Sequence, residues 1–147
     1  MAATNIRAVI DTNVLFEGLT KQGGACGLVI DAWLNEQFRP CVSTALEYEY
    51  VDVLSRKLSV TRWRALRPVM GLLLAQSEWV TIYYTWRPAS PDPGDDLMID
   101  CAMNAGALIV TNNSKDFRTA AQMLGVVVMS APEFIKRLAA DLLMPTK

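Results

Sequence analysis

The sequence of 147 residues predicts an α/β domain with a mostly parallel, five-stranded sheet flanked by helices. Two features carry this reading. Short apolar, β-branched runs alternate along the chain with longer segments of helical periodicity. The strand-like runs are apolar almost without interruption, which is the pattern of strands covered on both faces.

Ala8-Val9-Ile10 is the first such run and ends at Asp11, so a buried strand is expected there, with a helix beginning over Val14 to Leu19. Gly23-Gly24 breaks the pattern, and Cys26 to Gln37 then places Leu28, Val29, Ala32 and Trp33 at helical spacing. Pro40 to Ser43 reads as a second strand. Ser43 or Thr44 is a suitable N-cap for a helix from Ala45 to about Leu58. A further helix over Thr61 to Gln76 carries Trp63, Leu66, Met70, Leu73 and Leu74 on one side, and Trp79 to Tyr84 is β-rich, a third strand. Arg87 to Gly94, with three prolines, is a loop ending in Asp95-Asp96, acids suited to a helix N-terminus. Leu97 to Ala105 is that helix, with Gly106 as its stop. Ala107 to Val110 is a fourth strand, the turn Thr111-Asn112-Asn113-Ser114 follows, and a helix is expected from Lys115 to Leu124. Val126 to Met129 is the fifth strand, and Ser130 caps a last helix with Pro132 and Glu133 in its first turn. No repeat, low-complexity tract or second domain interrupts residues 1–147.

Composition restricts the chemistry more than the architecture. The chain has no His, which excludes Ser-His-Asp and Cys-His catalysis, His-ligated zinc and His proton shuttling. Cys26, Cys41 and Cys101 form no CxxC pair, and they read as small buried residues in a reducing cytosol rather than as a zinc or disulfide framework. A formal net charge of -1 argues against a uniformly basic nucleic-acid binder but leaves local patches open. Met1 to Arg7 contains no signal-peptide pattern, and apolar stretches such as Val69 to Ala75 are far too short to span a bilayer, so a cytoplasmic protein is expected.

The acids are placed where an open parallel sheet gathers its functional groups, beyond the carboxyl ends of the strands. Asp11 directly follows the first strand, Asp95 and Asp96 open the helix before the fourth, Asp116 lies just past the fourth, and Glu49 sits in the helix after the second. Asp96 and Asp100 are spaced i, i+4 and share a helix face. Any one of these could be a cap or a solvated side chain. Asp11 is less easily dismissed, because an acid at the buried end of an apolar strand is costly without a partner. With no His and no paired Cys, convergent oxygens imply a hard cation, Mg²⁺ or Mn²⁺. Phosphodiester hydrolysis is the reaction class that such a site serves.

Ala8-Val9-Ile10-Asp11-Thr12-Asn13-Val14-Leu15 resembles the opening motif of PIN-domain proteins, and Thr111-Asn112-Asn113-Ser114-Lys115-Asp116-Phe117 resembles their late TNxxxDF-type motif. Between them, Asp92-Pro93-Gly94-Asp95-Asp96 with Asp100 is similar to the family's acidic stretch, and Ser43 to Leu54 to the segment holding its helical glutamate. The resemblance spans about Arg7 to Leu138. It implies a three-layer PIN-like fold and a Mg²⁺- or Mn²⁺-dependent ribonuclease, often the toxin of a toxin–antitoxin pair. It places the family's core acids on Asp11, Glu49 (preferred over Glu47 on its spacing to Val53-Leu54), Asp116 and one of Asp95 or Asp96. The shorter VapC-like pattern favours Asp95. The longer DPxDD-type pattern favours Asp96, with Asp100 as an accessory metal ligand. Asn13 and Thr111 resemble polar residues that support the acids.

An acidic pocket repels RNA, so phosphate contacts must come from elsewhere. Arg56, Lys57, Arg62, Arg64 and Arg67 fall within 12 residues, with Trp63 between them; Lys115 and Arg118 beside Asp116 are better placed. A small antitoxin protein and a homodimer are the expected partners. Two rivals stand beside the ribonuclease. A haloacid-dehalogenase-like phosphatase would need an acid at position 13, where Asn stands. A non-catalytic PIN-like interaction module would not need the full set of acids.

Overall fold

Ala8, Val9 and Ile10 are at most 1% exposed and form the middle of a five-stranded sheet. The computed structural model describes residues 4–86 and 92–143. In chain order the elements are β1 (Arg7–Ile10), α1 (Thr12–Thr20), α2 (Gly24–Leu34), β2 (Arg39–Val42), α3 (Thr44–Lys57) and α4 (Val60–Ala75). Then come β3 (Glu78–Trp79), α5 (Pro93–Ala105), β4 (Leu108–Val110), a 3-10 turn (Ser114–Phe117), α6 (Arg118–Leu124), β5 (Val128–Met129) and α7 (Ala131–Leu143). The strand order is β3-β2-β1-β4-β5, and every pairing is parallel, with Ile10 opposite Val110 across β1 and β4. The predicted α/β class and its parallel sheet are therefore observed.

The order fixes where a site can form. The chain winds outward from β1 through β2 to β3, then returns to the other side of β1 for β4 and β5. The winding reverses between β1 and β4, and in open parallel sheets functional groups gather beyond the carboxyl ends of the strands at such a reversal. The segments that leave the sheet at that point begin with Asp11 and Thr111.

The helices are held by packing their apolar faces. α5 buries Met98, Ile99, Cys101 and Ala102, and it packs on β1, β2, β4 and α3. Trp33 on α2 is fully buried and donates its indole N–H to Leu73 O at 2.8 Å, joining α2 to α4. Phe38 and Phe134 meet edge to face at 5.0 Å, closing α7 onto the start of β2. The three cysteines are free and buried, as their small apolar character predicts. Among the described residues, no helix is long and apolar enough to cross a membrane.

Several boundaries differ from those expected. The third strand is not Trp79 to Tyr84 but only Glu78–Trp79. The Val80 N–H still donates to Val42 O at 2.9 Å, but β2 then turns into α3, leaving no ladder partner for later residues. α5 begins at Pro93, four residues before Leu97. Asp92 accepts from the Gly94 N–H at 2.9 Å as its N-cap, and Pro93 fills a first-turn position where no N–H is needed. Asp95 and Asp96 therefore lie inside the first helical turn. The helix expected over Lys115 to Leu124 is divided into a 3-10 turn and α6. Of the predicted loop, residues 87–91 lie outside the described residues.

The approach of α1 to α2 depends on a missing side chain. A Cβ on Gly18 would stand 2.5 Å from both Cys26 O and Ile30 Cγ1. Gly18→Ala is expected to lower stability by roughly 1–3 kcal/mol through overpacking, read as a fall in Tm by circular dichroism. An unchanged Tm would contradict this helix contact.

Candidate active site

Asp11 is 4% exposed, and its backbone N–H extends the β1–β4 ladder by donating to Val110 O at 2.9 Å. Its side chain serves as the N-cap of α1. The Asn13 N–H donates to Oδ1 at 3.0 Å, and the Thr111 hydroxyl donates to Oδ2 at 2.5 Å. Thr111 is itself fully buried, and its Oγ1 accepts from the Asn113 N–H at 3.0 Å. The Asn113 amide then donates to Asp116 Oδ2 at 2.6 Å. An unbroken chain of hydrogen bonds thus runs from Asp11 through Thr111 and Asn113 to Asp116.

Two further segments bring acids to the same end of the sheet. A Cβ on Gly94 would meet Glu49 Oε1 at 3.2 Å and Asp92 Oδ1 at 3.4 Å, so both carboxylates lie against one glycine at the start of α5. Tyr50, beside Glu49, is fully buried and donates its hydroxyl to Ile10 O at 2.5 Å. That bond ties the helix bearing Glu49 to the residue before Asp11. Burial drives the Tyr50 phenol well above its ordinary range, which keeps it a neutral donor.

Electrostatics show which acids share space. Burial raises the Asp11 carboxyl above the usual carboxylate range. The hydrogen bonds from Thr111 and Asn13 pull it back, while the negative charges of Asp116 and Asp92 raise it further. Asp92 and Asp116 therefore each lie close enough to Asp11 to repel it. Asp95, Asp96 and Asp100 are 7%, 5% and 4% exposed, so Asp95 and Asp96 are alike in burial. Their position in the first turn of α5 is favoured by the helix dipole. Asp100 Oδ1 accepts the Trp86 N–H at 3.3 Å, so this acid also anchors the segment before α5.

The other predicted residues divide clearly. The Asn13 side chain is exposed at the site, and Thr111 lies at its centre. Lys115 and Arg118 are exposed on either side of half-buried Asp116. Arg62 and Arg64 are exposed on α4, which packs on α2 and α3. Trp63 is half-buried against the core, which leaves less of its ring for a base. Arg56 is committed to Asp52 at 3.1 Å, and Lys57 lies over the Phe16 ring at 5.1 Å.

Asp92, Asn113 and Tyr50 lie within the motif segments, but the sequence assigns none of them a role at the site. Asp92 carried a usable signal, an Asp before Pro-Gly at a helix start. Asn113 and Tyr50 carried none, because each acts on a residue in another segment or across a turn.

The donors present are all oxygens, the set preferred by Mg²⁺ or Mn²⁺. Among the described residues, no three of Cys, Asp and Glu close into a group that could hold an ion by themselves. Mg²⁺ usually retains several waters and takes one or two carboxylates. An ion here would therefore have to take one or two of these carboxylates and complete its shell with water.

A PIN-domain family model matches residues 7–115. No curated protein matches the sequence. Among solved structures, VapBC2 from Rickettsia felis, described as bound to a DNA fragment from their promoter, is similar at 13% identity with a TM-score of 0.63, covering 85% of this chain and 98% of that one. FitAcB from Neisseria gonorrhoeae gives 17% and 0.60, over 84% and 97%. PAE2754 from Pyrobaculum aerophilum gives 18% and 0.57, over 95% and 94%.

A buried carboxylate with a raised pKa weakens the fold once ionised. Its stabilising contribution is complete below the unfolded-state pKa and is lost as pH rises through the higher folded-state value. Asp11→Asn removes that charge and is expected to raise Tm at pH 7 by a few degrees, with the gain shrinking toward pH 3. A lower Tm for the variant at pH 7, by calorimetry without divalent cations, would contradict the repulsion.

Proposed function

The chain belongs to the PIN-domain family, and from that membership and the acids around Asp11 we propose that it is a divalent-metal-dependent endoribonuclease. The substrate class is single-stranded RNA. The observation that carries this reading is the convergence of Asp11, Asp92 and Asp116, from three separate segments, at the reversal point of the sheet. A buried carboxylate repelled by two neighbouring acids makes sense as the seat of a cation.

Asp11, Asp116 and one of Asp95 or Asp96 would hold Mg²⁺ or Mn²⁺, with Glu49, Asp92 and Asp100 assisting. When bound, the ion supplies the Lewis acidity that makes water a nucleophile at neutral pH and offsets charge developing on the phosphodiester. The chain's own groups do the positioning. Thr111 and Asn13 fix the two oxygens of Asp11, and Asn113 orients Asp116. Glu49, half-buried and therefore open to solvent, would take the proton of the attacking water. Hydrolysis would leave a 3′-hydroxyl and a 5′-phosphate. Lys115 and Arg118 are the nearer phosphate contacts, with Arg62 and Arg64 as outlying ones.

The resemblance to VapC-like proteins, and the fold shared with VapBC2 and FitAcB, support a role as the toxin of a toxin–antitoxin pair. The partner would be a small antitoxin protein. A homodimer is the proposed assembly, supported by Val60 and Leu72 standing 68% and 57% exposed on α4.

The protein with Mn²⁺ or Mg²⁺ is expected to cleave a single-stranded RNA oligonucleotide. Asp11→Asn should reduce the rate by about 100-fold or more, since a misplaced ion forfeits several kcal/mol of transition-state stabilisation. Undiminished cleavage by a folded Asp11→Asn variant would sink the assignment. Hydrolysis of p-nitrophenyl phosphate without RNA cleavage would favour the phosphatase instead. For the toxin role, induced expression should arrest growth, Asp11→Asn should not, and a small neighbouring-gene product should copurify with the chain.

A further inference from the structure

The segment after β3 has features that neither the sheet nor the acids explain. Residues 79–86 read Trp-Val-Thr-Ile-Tyr-Tyr-Thr-Trp, holding half of the chain's four Trp and half of its four Tyr, with no charged residue. Its backbone is secured once the ladder with β2 ends. Asn104 Oδ1 accepts the Tyr83 N–H at 3.0 Å and the Tyr84 N–H at 3.3 Å, and Asn104 Nδ2 donates to Tyr84 O at 2.9 Å. The Trp86 N–H donates to Asp100 Oδ1. All these anchors come from α5, the helix whose first turn carries Asp95 and Asp96.

The rings are treated differently from the backbone. Tyr83 is 78% exposed, Tyr84 70% and Trp79 48%. Tyr84 and Trp86 lie with ring centroids 6.3 Å apart. Single exposed aromatics are ordinary, but a cluster on a fixed backbone marks a contact surface. Beside Trp79 and Ile82 a cleft of about 350 Å³ opens against Ser43 and Thr44, at the carboxyl end of β2. From Tyr83 to Trp86 the anchors pass from Asn104 to Asp100, one turn nearer the start of α5, so the segment leads from the edge of the sheet to one of the acids.

Resting on the ribonuclease reading above, we propose that residues 79–86 form a base-stacking track for the single-stranded RNA substrate, with Tyr83 and Tyr84 as its principal base contacts. Charge selects this occupant. The acids repel phosphates, so substrate close to them is better held by its bases than by its backbone. An uncharged aromatic surface offers that hold by stacking on the bases. Every base has a π-face, so the track gives grip without choosing a sequence. The Arg and Lys side chains elsewhere supply the salt-dependent component.

The test uses the Asp11→Asn full-length protein, so that binding is read without cleavage, and a labelled single-stranded RNA 12-mer followed by fluorescence anisotropy. Adding Tyr83→Ala and Tyr84→Ala should weaken binding by about tenfold or more, while Tyr83→Phe with Tyr84→Phe should retain it. The same RNA carrying 4-thiouridine should crosslink to the peptide holding residues 79–86, a readout independent of any tyrosine variant. Native affinity in the folded alanine variant, or crosslinks only elsewhere, would overturn the track while leaving the nuclease assignment to the cleavage assay. Loss of partner-protein capture with RNA binding intact would assign the surface to a protein and also overturn it. No binding of the 12-mer by Asp11→Asn overturns the track whatever the native protein cleaves.

Discussion

A carboxylate held at the buried end of a central strand is the constraint on which the rest of this structure depends. Asp11 is out of water, near two other acids, and still has both oxygens hydrogen-bonded. Burying a charge among like charges opposes folding. The bonds from Thr111 and the Asn13 amide partly offset that cost and at the same time set the orientation of the carboxylate. Thr111 can reach only because β4 lies beside β1, which follows from the reversal in strand order. Topology, burial and side-chain geometry thus meet in one residue.

The surroundings extend the same logic. Tyr50 fixes the end of β1 from α3, Asn113 passes the orientation of Thr111 on to Asp116, and Asp92 caps α5 while adding charge beside Asp11. None of these contacts adds much to the hydrophobic core, and the acids among them oppose folding. They position a destabilised group, the usual trade between stability and function. The acids occupy the reversal point of the sheet, Arg62 and Arg64 lie on α4, and an uncharged aromatic segment leads away along α5. A formal charge of -1 is the average of these unlike surfaces.

Much of this was legible in the sequence, for definite reasons. A buried parallel strand must be apolar throughout, so Ala8-Val9-Ile10 and Leu108-Ile109-Val110 identify themselves, and the acid after the first is conspicuous. Caps such as Ser43 are local and equally readable. Pairing is not local: Trp79 to Tyr84 has strand composition, but a strand needs a neighbour, and β2 ends too early to provide one. The start of α5 is hidden because a proline reads equally as loop or as the first turn of a helix, and Pro93 is the latter. Asp95 and Asp96 were adjacent and indistinguishable in sequence, and they remain alike in burial. The roles of Asn113 and Tyr50 depend on contacts that composition and periodicity do not encode.

Locating Mn²⁺ directly tests the central claim, that the acids around Asp11 form a divalent-cation site. Crystals of the protein soaked in Mn²⁺ and measured at the manganese absorption edge should give an anomalous peak within coordination distance of Asp11 and Asp116, with Asp95 or Asp96 completing the protein ligands. A peak only at other acids, or none at the carboxyl end of β1 in crystals saturated with Mn²⁺, would contradict the account.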